Sequence, residues 1–460
     1  MIKVYLAELG KKHPIISAQH AGRECYQASN PPLTTEYTSK LPVESALHNS
    51  GHHTTLEHAD HYFTFQIEGI SVADITLGLH LVGTLYNTSQ RSGRYCANMF
   101  ENPEIDGMLE YVRQLWPQTT AEAMEKIEAY LRQGFDLYND NLAKATVIAE
   151  QKIKFERLYA SAKTDYRKLA QEQMRMFVPM IFPTGLVFTV NLPTLESLYK
   201  VVWLPGMRTA VNLMKEELLK KYPELAFMFP SLPETTLINP CFAKIFGTEF
   251  SQPTMIATSP SVVLKSVSGE LLVPEAGTEH PVNLMPFLLE LMNNNLFQLK
   301  TEVMISLATM GQDQRHRTVK RSLPRFQSSF YLPPLLQELG LAGQAKDLFD
   351  TWRGLAKDIP QDLLACLAPY GAMVKYQKMA DGNAFLHEGG KRGCFAAQEE
   401  IYQLFRLLRE QLIANGSLSD EALRAISPKC VFSGQCAEGN RYCGRDFSVI
   451  KNEPFPLRKV

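Results

Sequence analysis

The sequence predicts an α+β fold in two tandem halves, and three observations carry that reading. Segments such as YFTFQIEG alternate aromatic and β-branched residues, the pattern of a strand. Residues 119–177 are long, charged and periodic at 3.6, with Ala, Ile, Leu, Phe and Tyr recurring among polar positions, which predicts long helices. One order also runs twice along the chain: strand, helix, apolar segment, basic motif, helices, a proline, then a last long helix. A single old duplication explains that order better than a short solenoid repeat does.

Taken in order, MIKVYLAEL reads as a strand, and a helix is expected around Pro42 to His48, before GHHTTLEH at 51–58. YFTFQIEG is the next strand, and residues 71–86 read as a buried helix. Pro179 and Pro183 end the long helices ahead of the strand VFTVN. A helix over Thr194 to Lys221 is interrupted at Pro205-Gly206. Residues 228–260, rich in Pro, Ser and Thr, make the linker between halves. The second half opens with the strand SVVLKSV and a helix in PVNLMPFLLELMNNN. EVMISLATM is a strand or the start of the following helix, and 334–357 and 395–415 are helical by period. The expected domains are therefore 1–235, 236–427 and a loop-like tail, 428–460.

The 460 residues suffice for two or three domains with real cores. A net charge of −1 argues against general binding of nucleic-acid polymers, which needs a basic excess, and leaves room for a local basic pocket. No stretch approaches the roughly 18 apolar residues of a spanning helix. The N-terminus lacks a signal-peptide core. Eight cysteines are too few for a disulfide scaffold, so a cytoplasmic chain with reduced thiols is expected.

Such a pocket is suggested by GQDQRHRTVKRSLPRF, where Gln312, Arg315, His316 and Arg317 form a compact set of donors. The planar fork of Arg matches phosphate and carbonyl oxygens. Alone, Arg-His-Arg is more often a solvated basic turn. Ser92-Gly93-Arg94, alone, is an ordinary turn, and Lys375 and Lys378 are plain surface charges. His52 and His58 do not have a usual zinc spacing. Cys430, Cys436 and Cys443, with Cys394 as a fourth, leave open a zinc or iron–sulfur site, against the blander reading of free thiols packing a tail.

Together, GHHTTLEHADHYFTFQIEGIS, His80, Asn87 and Ser92-Gly93-Arg94-Tyr95 resemble the flavin-dependent thymidylate synthases. That family carries Gly-His-x-Thr-x-x-Glu-His, a strand, Gln-x-x-Arg-His-Arg and then Asn-Glu-x-Ser-x-Arg-Tyr. In the first half the middle is lost: Leu79-His80-Leu81 replaces Arg-His-Arg, Thr88 stands at the family's Glu, and Gly185 stands at a nucleotide-binding arginine. Glu172, Arg175 and Pro179 match a family helix end. The second half keeps Gln312, Arg315, His316 and Arg317, has Arg325-Phe326 for Arg-Tyr, and lacks Asn-Glu. Lys375 falls at the first nucleotide-binding arginine and Arg392 at the second, and Gln398, Glu400 and Ile401 also fit.

The resemblance implies, in each half, a small mainly antiparallel sheet packed with long helices. It implies FAD, with NADPH and methylenetetrahydrofolate as co-substrates, and conversion of dUMP to dTMP. By resemblance Ser92, Gly93, Arg94, Gln312, Arg315, Lys375 and Arg392 hold the nucleotide, with Gln312 and Arg315 catalytic. Cys25, His52, Thr54, Glu57, Asn191, His316 and Arg317 surround the flavin. The losses are reciprocal, which predicts one composite site formed between the halves, and a homodimer standing for the family's tetramer. The alternatives are a non-catalytic FAD- or nucleotide-binding homologue, a flavoenzyme acting on another pyrimidine nucleotide, and a structural protein built on the helices of 119–177.

Overall fold

The structure, a computed structural model, describes residues 1–6, 16–24, 63–81, 86–96, 98–156, 165–190, 192–221, 242–274 and 285–428, with scattered residues in 223–231 and 430–460. The expected helix at Pro42 to His48 and the GHHTTLEH segment lie outside them.

In chain order the elements are β1 (Lys3–Leu6), α1 (Ile16–Glu24), β2 (Phe63–Ser71), α2 (Val72–Asp74), β3 (Tyr86–Gln90), α3 (Ile105–Leu115), α4 (Ala121–Glu156), α5 (Tyr166–Met174), β4 (Pro183–Val190), α6 (Leu192–Val201) and α7 (Pro205–Lys221). There follow β5 (Met255–Ala257), β6 (Ser261–Ser268), β7 (Gln298–Ser306), α8 (Leu307–Asp313), β8 (Lys320–Arg321), β9 (Arg325–Tyr331), α9 (Pro334–Glu338), α10 (Ala342–Gly354), α11 (Gln361–Cys366), β10 (Ala372–Ala380), α12 (Gly382–Arg392), α13 (Glu399–Asn415) and α14 (Asp420–Ala425).

Local chemistry accounts for most of these. Ile127, Leu131, Phe135, Tyr138, Leu142, Ala145, Ala149 and Ile153 are all buried along α4, a stripe at the helical period. Each large member contributes about 1.5–3 kcal/mol by leaving water. Ser71 ends β2 and caps α2, its hydroxyl accepting from the Asp74 amide; Ser306 ends β7 and caps α8, accepting from Thr309. EVMISLATM therefore supplies both a strand and a helix start. Gly69, at φ +71°, makes the bulge in β2, and a Cβ there would lie 2.6 Å from the Met1 carbonyl.

Two expectations change. The helix expected over 71–86 is α2 followed by a π-helical stretch, Ile75–Leu79, and by Tyr86 the chain is already in β3. The helix expected in PVNLMPFLLELMNNN consists, in its described part, of 3-10 turns at Met285–Phe287 and Leu289–Asn295. Buried Asn294 uses its amide on both the N–H and the carbonyl of Leu272 and on Asn383, so tertiary bonds set the backbone there.

Chain segments group into two compact units that exchange pieces of sequence. The first comprises Met1–Asp140, Phe177–Ile245 and Asp347–Tyr370; the second comprises Asn141–Met176, Phe246–Lys346 and Gly371–Val460. The first holds a four-stranded antiparallel sheet, β1-β2-β4-β3. Its late segment is bonded in by Trp116 to Asp362 (2.9 Å) and by the Tyr130 hydroxyl to the Leu367 carbonyl (2.8 Å). The second holds the order β5-β9-β10-β7-β6 with β8 on β10, antiparallel except for the β5–β9 pair. Its early segment is tied in by Gln173, whose side-chain oxygen accepts from the Leu335 amide (2.9 Å). Among the described residues no helix is long and apolar enough to cross a membrane.

Candidate functional site

In the second unit, Glu400 of α13 accepts from the Ser306 amide (2.7 Å) and from the hydroxyls of Ser306 and Thr309, which fixes where α8 begins. Gln312 sits in the last turn of α8 and Asp313 ends it. The chain then turns tightly, with Arg315 N–H donating to the Gln312 carbonyl, His316 to Asp313 and Val319 to His316. Arg315 and Arg317 are half-buried on this turn, and His316 is buried. Arg392, at the end of α12, donates to the Gln312 carbonyl at 2.6 Å. The structure thus brings together Gln312 and Arg392, selected from separate parts of the sequence. Lys375 stands on β10, half-exposed and paired with Glu302 at 3.4 Å; Lys265 shares that carboxylate at 3.2 Å.

Beneath the turn lies a network that the motifs did not reveal. The buried Asp313 carboxylate accepts from Arg321, from Lys378 and from the Tyr376 hydroxyl at 2.7 Å. Lys378 also donates to Glu388 at 2.6 Å. Burial pushes the Asp313 carboxyl up, but Arg321 and Lys378 outweigh it and hold the group well below the usual carboxylate range. Burial, then the Arg392 charge, hold His316 well below its ordinary value, so its ring is neutral. Its Nδ1 is buried without a hydrogen-bond partner, and the ring lies 5.3 Å from that of His387. Lys378 is a core residue, not a surface charge. Strand alternation carries the signal: Val374, Tyr376 and Lys378 share the buried face of β10, with Lys375 and Gln377 on the other. A cavity of about 20 Å³ beside Lys378, Glu388 and Arg392 has room for roughly one water.

In the first unit, Ser92, Gly93 and Arg94 form a half-buried turn after β3. The Tyr95 and Cys96 amides donate to the Ser92 carbonyl, the Arg94 amide donates to the Ser92 hydroxyl, and the Arg94 guanidinium lies 5.1 Å from the Tyr95 ring centre. Arg91 anchors the turn. Its amide donates to the Gly185 carbonyl (3.1 Å), and its guanidinium meets Glu68 at 2.6 Å and Glu24 at 3.2 Å. Burial raises Glu24 to about 8 despite Arg91. A Cβ on Gly185 would lie 2.6 Å from the Glu68 carboxylate and 2.8 Å from the Arg91 guanidinium carbon. His80, between Leu79 and Leu81, is hydrogen-bonded to Thr88 at 2.8 Å.

Cys25, His52, Thr54, Glu57 and Asn191 lie outside the described residues. Among the described residues no group of three or more His, Cys, Asp or Glu is placed to hold a metal ion, and Cys394, Cys430, Cys436 and Cys443 form no disulfide. The tail has packing of its own: Arg445 and Arg458 lie 5.1 and 5.3 Å from the Phe395 ring centre, and Cys443 joins Phe395 and Tyr402 in a hydrophobic cluster.

Comparison with known proteins gives a matching family over residues 11–224, described as thymidylate synthase complementing protein. No curated protein matches the chain. A solved structure, the UMP/dUMP methylase PolB from Streptomyces cacaoi bound with 5-Br UMP, is 16% identical over 37% of this chain and 96% of that one, with a TM-score of 0.29. Over residues 11–224, just under half of its length, the chain is thus similar to the thymidylate synthase complementing protein family.

Proposed function

We propose that the protein is a flavin-dependent thymidylate synthase, converting dUMP to dTMP with methylenetetrahydrofolate and NADPH, and that one composite site serves both halves. The bond from Arg392 to the Gln312 carbonyl at 2.6 Å, within the second unit, carries the nucleotide-binding part of this reading, and the reciprocal losses in the sequence motivate the shared site. Both residues were selected as nucleotide ligands by resemblance alone, and they meet across 80 residues of chain. The matching family over the first half supports the reaction class.

Sheet register supports the view that the second half is a diverged copy of the first. Ser71 faces Pro183 and Ser306 faces Met373, each serine capping the helix that follows its strand. Two residues further along β4 and β10 stand Gly185 and Lys375, the positions already matched to a nucleotide-binding arginine. At the first, Glu68 and Arg91 fill the space an arginine side chain needs; at the second, the cation is retained.

In this reading Ser92, Gly93 and Arg94 seat the phosphate, with Gly93 allowing close backbone approach. Gln312 and Arg315 face the uracil carbonyls, where a guanidinium stabilises negative charge developing on the ring. Lys375 and Arg392 complete the nucleotide seat. The described residues fit a heteroaromatic cofactor in one respect: the neutral, buried His316 has a ring nitrogen awaiting a partner. With Arg317, and with Cys25, His52, Thr54, Glu57 and Asn191 outside the described residues, it would hold FAD. FAD supplies the redox chemistry of the transfer, and the protein supplies orientation.

The test is the visible spectrum of purified, FAD-loaded protein before and after dUMP, with complementation of a thymidine auxotroph. A flavin spectrum that shifts with dUMP, together with growth, is expected; a protein that takes up no FAD contradicts the proposal. The second reading, a non-catalytic FAD- or nucleotide-binding homologue, is favoured by Thr88 at the family's Glu, since that side chain is committed to His80. Flavin binding without complementation would select it.

A further inference from the structure

We propose that Asp313 is the positioning residue of the turn that presents Gln312 and Arg315, acting through Arg321. This rests on the nucleotide reading above and names a residue that no motif assigned. Asp313 works with both its side chain and its backbone. Its carboxylate accepts from Arg321 Nε, Lys378 Nζ and the Tyr376 hydroxyl, and its carbonyl accepts from the His316 amide and from Arg321 Nη2. The remaining guanidinium nitrogen of Arg321 donates to the carbonyls of His316 (3.1 Å) and Val319 (2.8 Å). One guanidinium therefore closes the carbonyls of residues 313, 316 and 319 and the Asp313 carboxylate together.

The charges explain why an acid is needed. Helix α8 ends here, and its free carbonyls and negative dipole end favour a cation, which Arg321 supplies. Arg315, Arg317, Arg321 and Lys378 then crowd one short stretch of surface and core. Asp313 and Glu388 neutralise the two buried cations, Arg321 and Lys378. The residues that face a ligand, Gln312 and Arg315, project from a turn whose carbonyls at 313, 316 and 319 are all bonded to Arg321. An asparagine at 313 keeps the shape but offers an N–H to donors that already point inward, so it tests the charge and not the volume.

The experiment compares Asp313→Asn with the double variant Lys378→Met/Glu388→Gln, which removes a neighbouring buried ion pair and leaves Asp313 its bonds from Arg321 and Tyr376. Hydrogen exchange over 312–321 and dUMP titration are both read well below the melting temperatures. Asp313→Asn is expected to speed exchange in 312–321 and to weaken dUMP binding by about tenfold or more. The double variant is expected to melt earlier with both readouts near those of the wild type. Unchanged exchange and affinity in Asp313→Asn overturn the proposal, as does an equal loss of dUMP affinity in the double variant. A wild-type protein that does not bind dUMP would remove the nucleotide reading, while the exchange comparison would still decide whether Asp313 anchors the turn. Should Asp313→Asn not fold, Arg321→Lys carries the same expectations, because it keeps the charge and loses the bonds to the His316 and Val319 carbonyls.

Discussion

Pro179 and Pro369 face each other in an isolated antiparallel bridge within the first compact unit. The Met180 amide donates to the Ala368 carbonyl at 2.8 Å, and the Tyr370 amide donates to the Val178 carbonyl at 3.0 Å. Met180 precedes β4 as Tyr370 precedes β10, so under the proposed duplication these are corresponding positions, and their bonds are reciprocal. A duplicated chain that kept the pairing of an ancestral two-fold dimer would have this local geometry.

Each compact unit draws segments from both the early and the late part of the sequence. The first compact unit needs Asp347–Tyr370 and the second needs Asn141–Met176. Fragments 1–235 and 236–460, expressed separately, are expected to lack cooperative thermal transitions by circular dichroism and to regain one when coexpressed. A full cooperative melt from either fragment alone would contradict this.

At Gly185 the missing side chain is structural. Gly185→Ala forces the buried Glu68–Arg91 pair to move and is expected to cost about 1–3 kcal/mol in urea denaturation. Arg91→Ala leaves Glu68 buried without its cation and is expected to cost about 3–5 kcal/mol. The order reverses if the pair contributes nothing to the fold.

Glu399 and Glu400 give the second unit a pH dependence. Burial raises them to about 8 and about 7, although Arg458 and the Tyr331 hydroxyl oppose the shift at Glu399 and the Ser306 and Thr309 hydroxyls oppose it at Glu400. Their folded values lie above the unfolded ones, so folding holds protons that the unfolded chain releases. Their contribution is full at acid pH near the ordinary carboxylate value and is lost as pH rises toward 8, at about 1.4 kcal/mol per pH unit for each group. Glu399→Gln is expected to flatten the fall in stability between pH 5.5 and 8.5. Parallel stability profiles for wild type and variant would refute this assignment.

The sequence made legible what depends on period and capping. Strands β2, β4, β6 and β7 and helix α4 follow from alternation and the 3.6 stripe, and the break before Pro205 follows from proline. What it hid are bonds between distant polar groups. Asp313 and Lys378 lie 65 residues apart, and nothing in either neighbourhood announces the other. The 3-10 turns at Leu289–Asn295 depend on what Asn294 meets at Leu272. The motif residues of the second half were readable as a set because a guanidinium fork and an amide suit a nucleotide; the acid and cations beneath them have no such signature.

The most direct test of the composite site is calorimetric titration of dUMP into FAD-loaded protein, repeated with Arg94→Glu and with Arg315→Glu. One nucleotide bound per chain, lost in both variants, is the predicted result. Two nucleotides per chain, or binding that survives either charge reversal, would contradict a single site shared by the two halves.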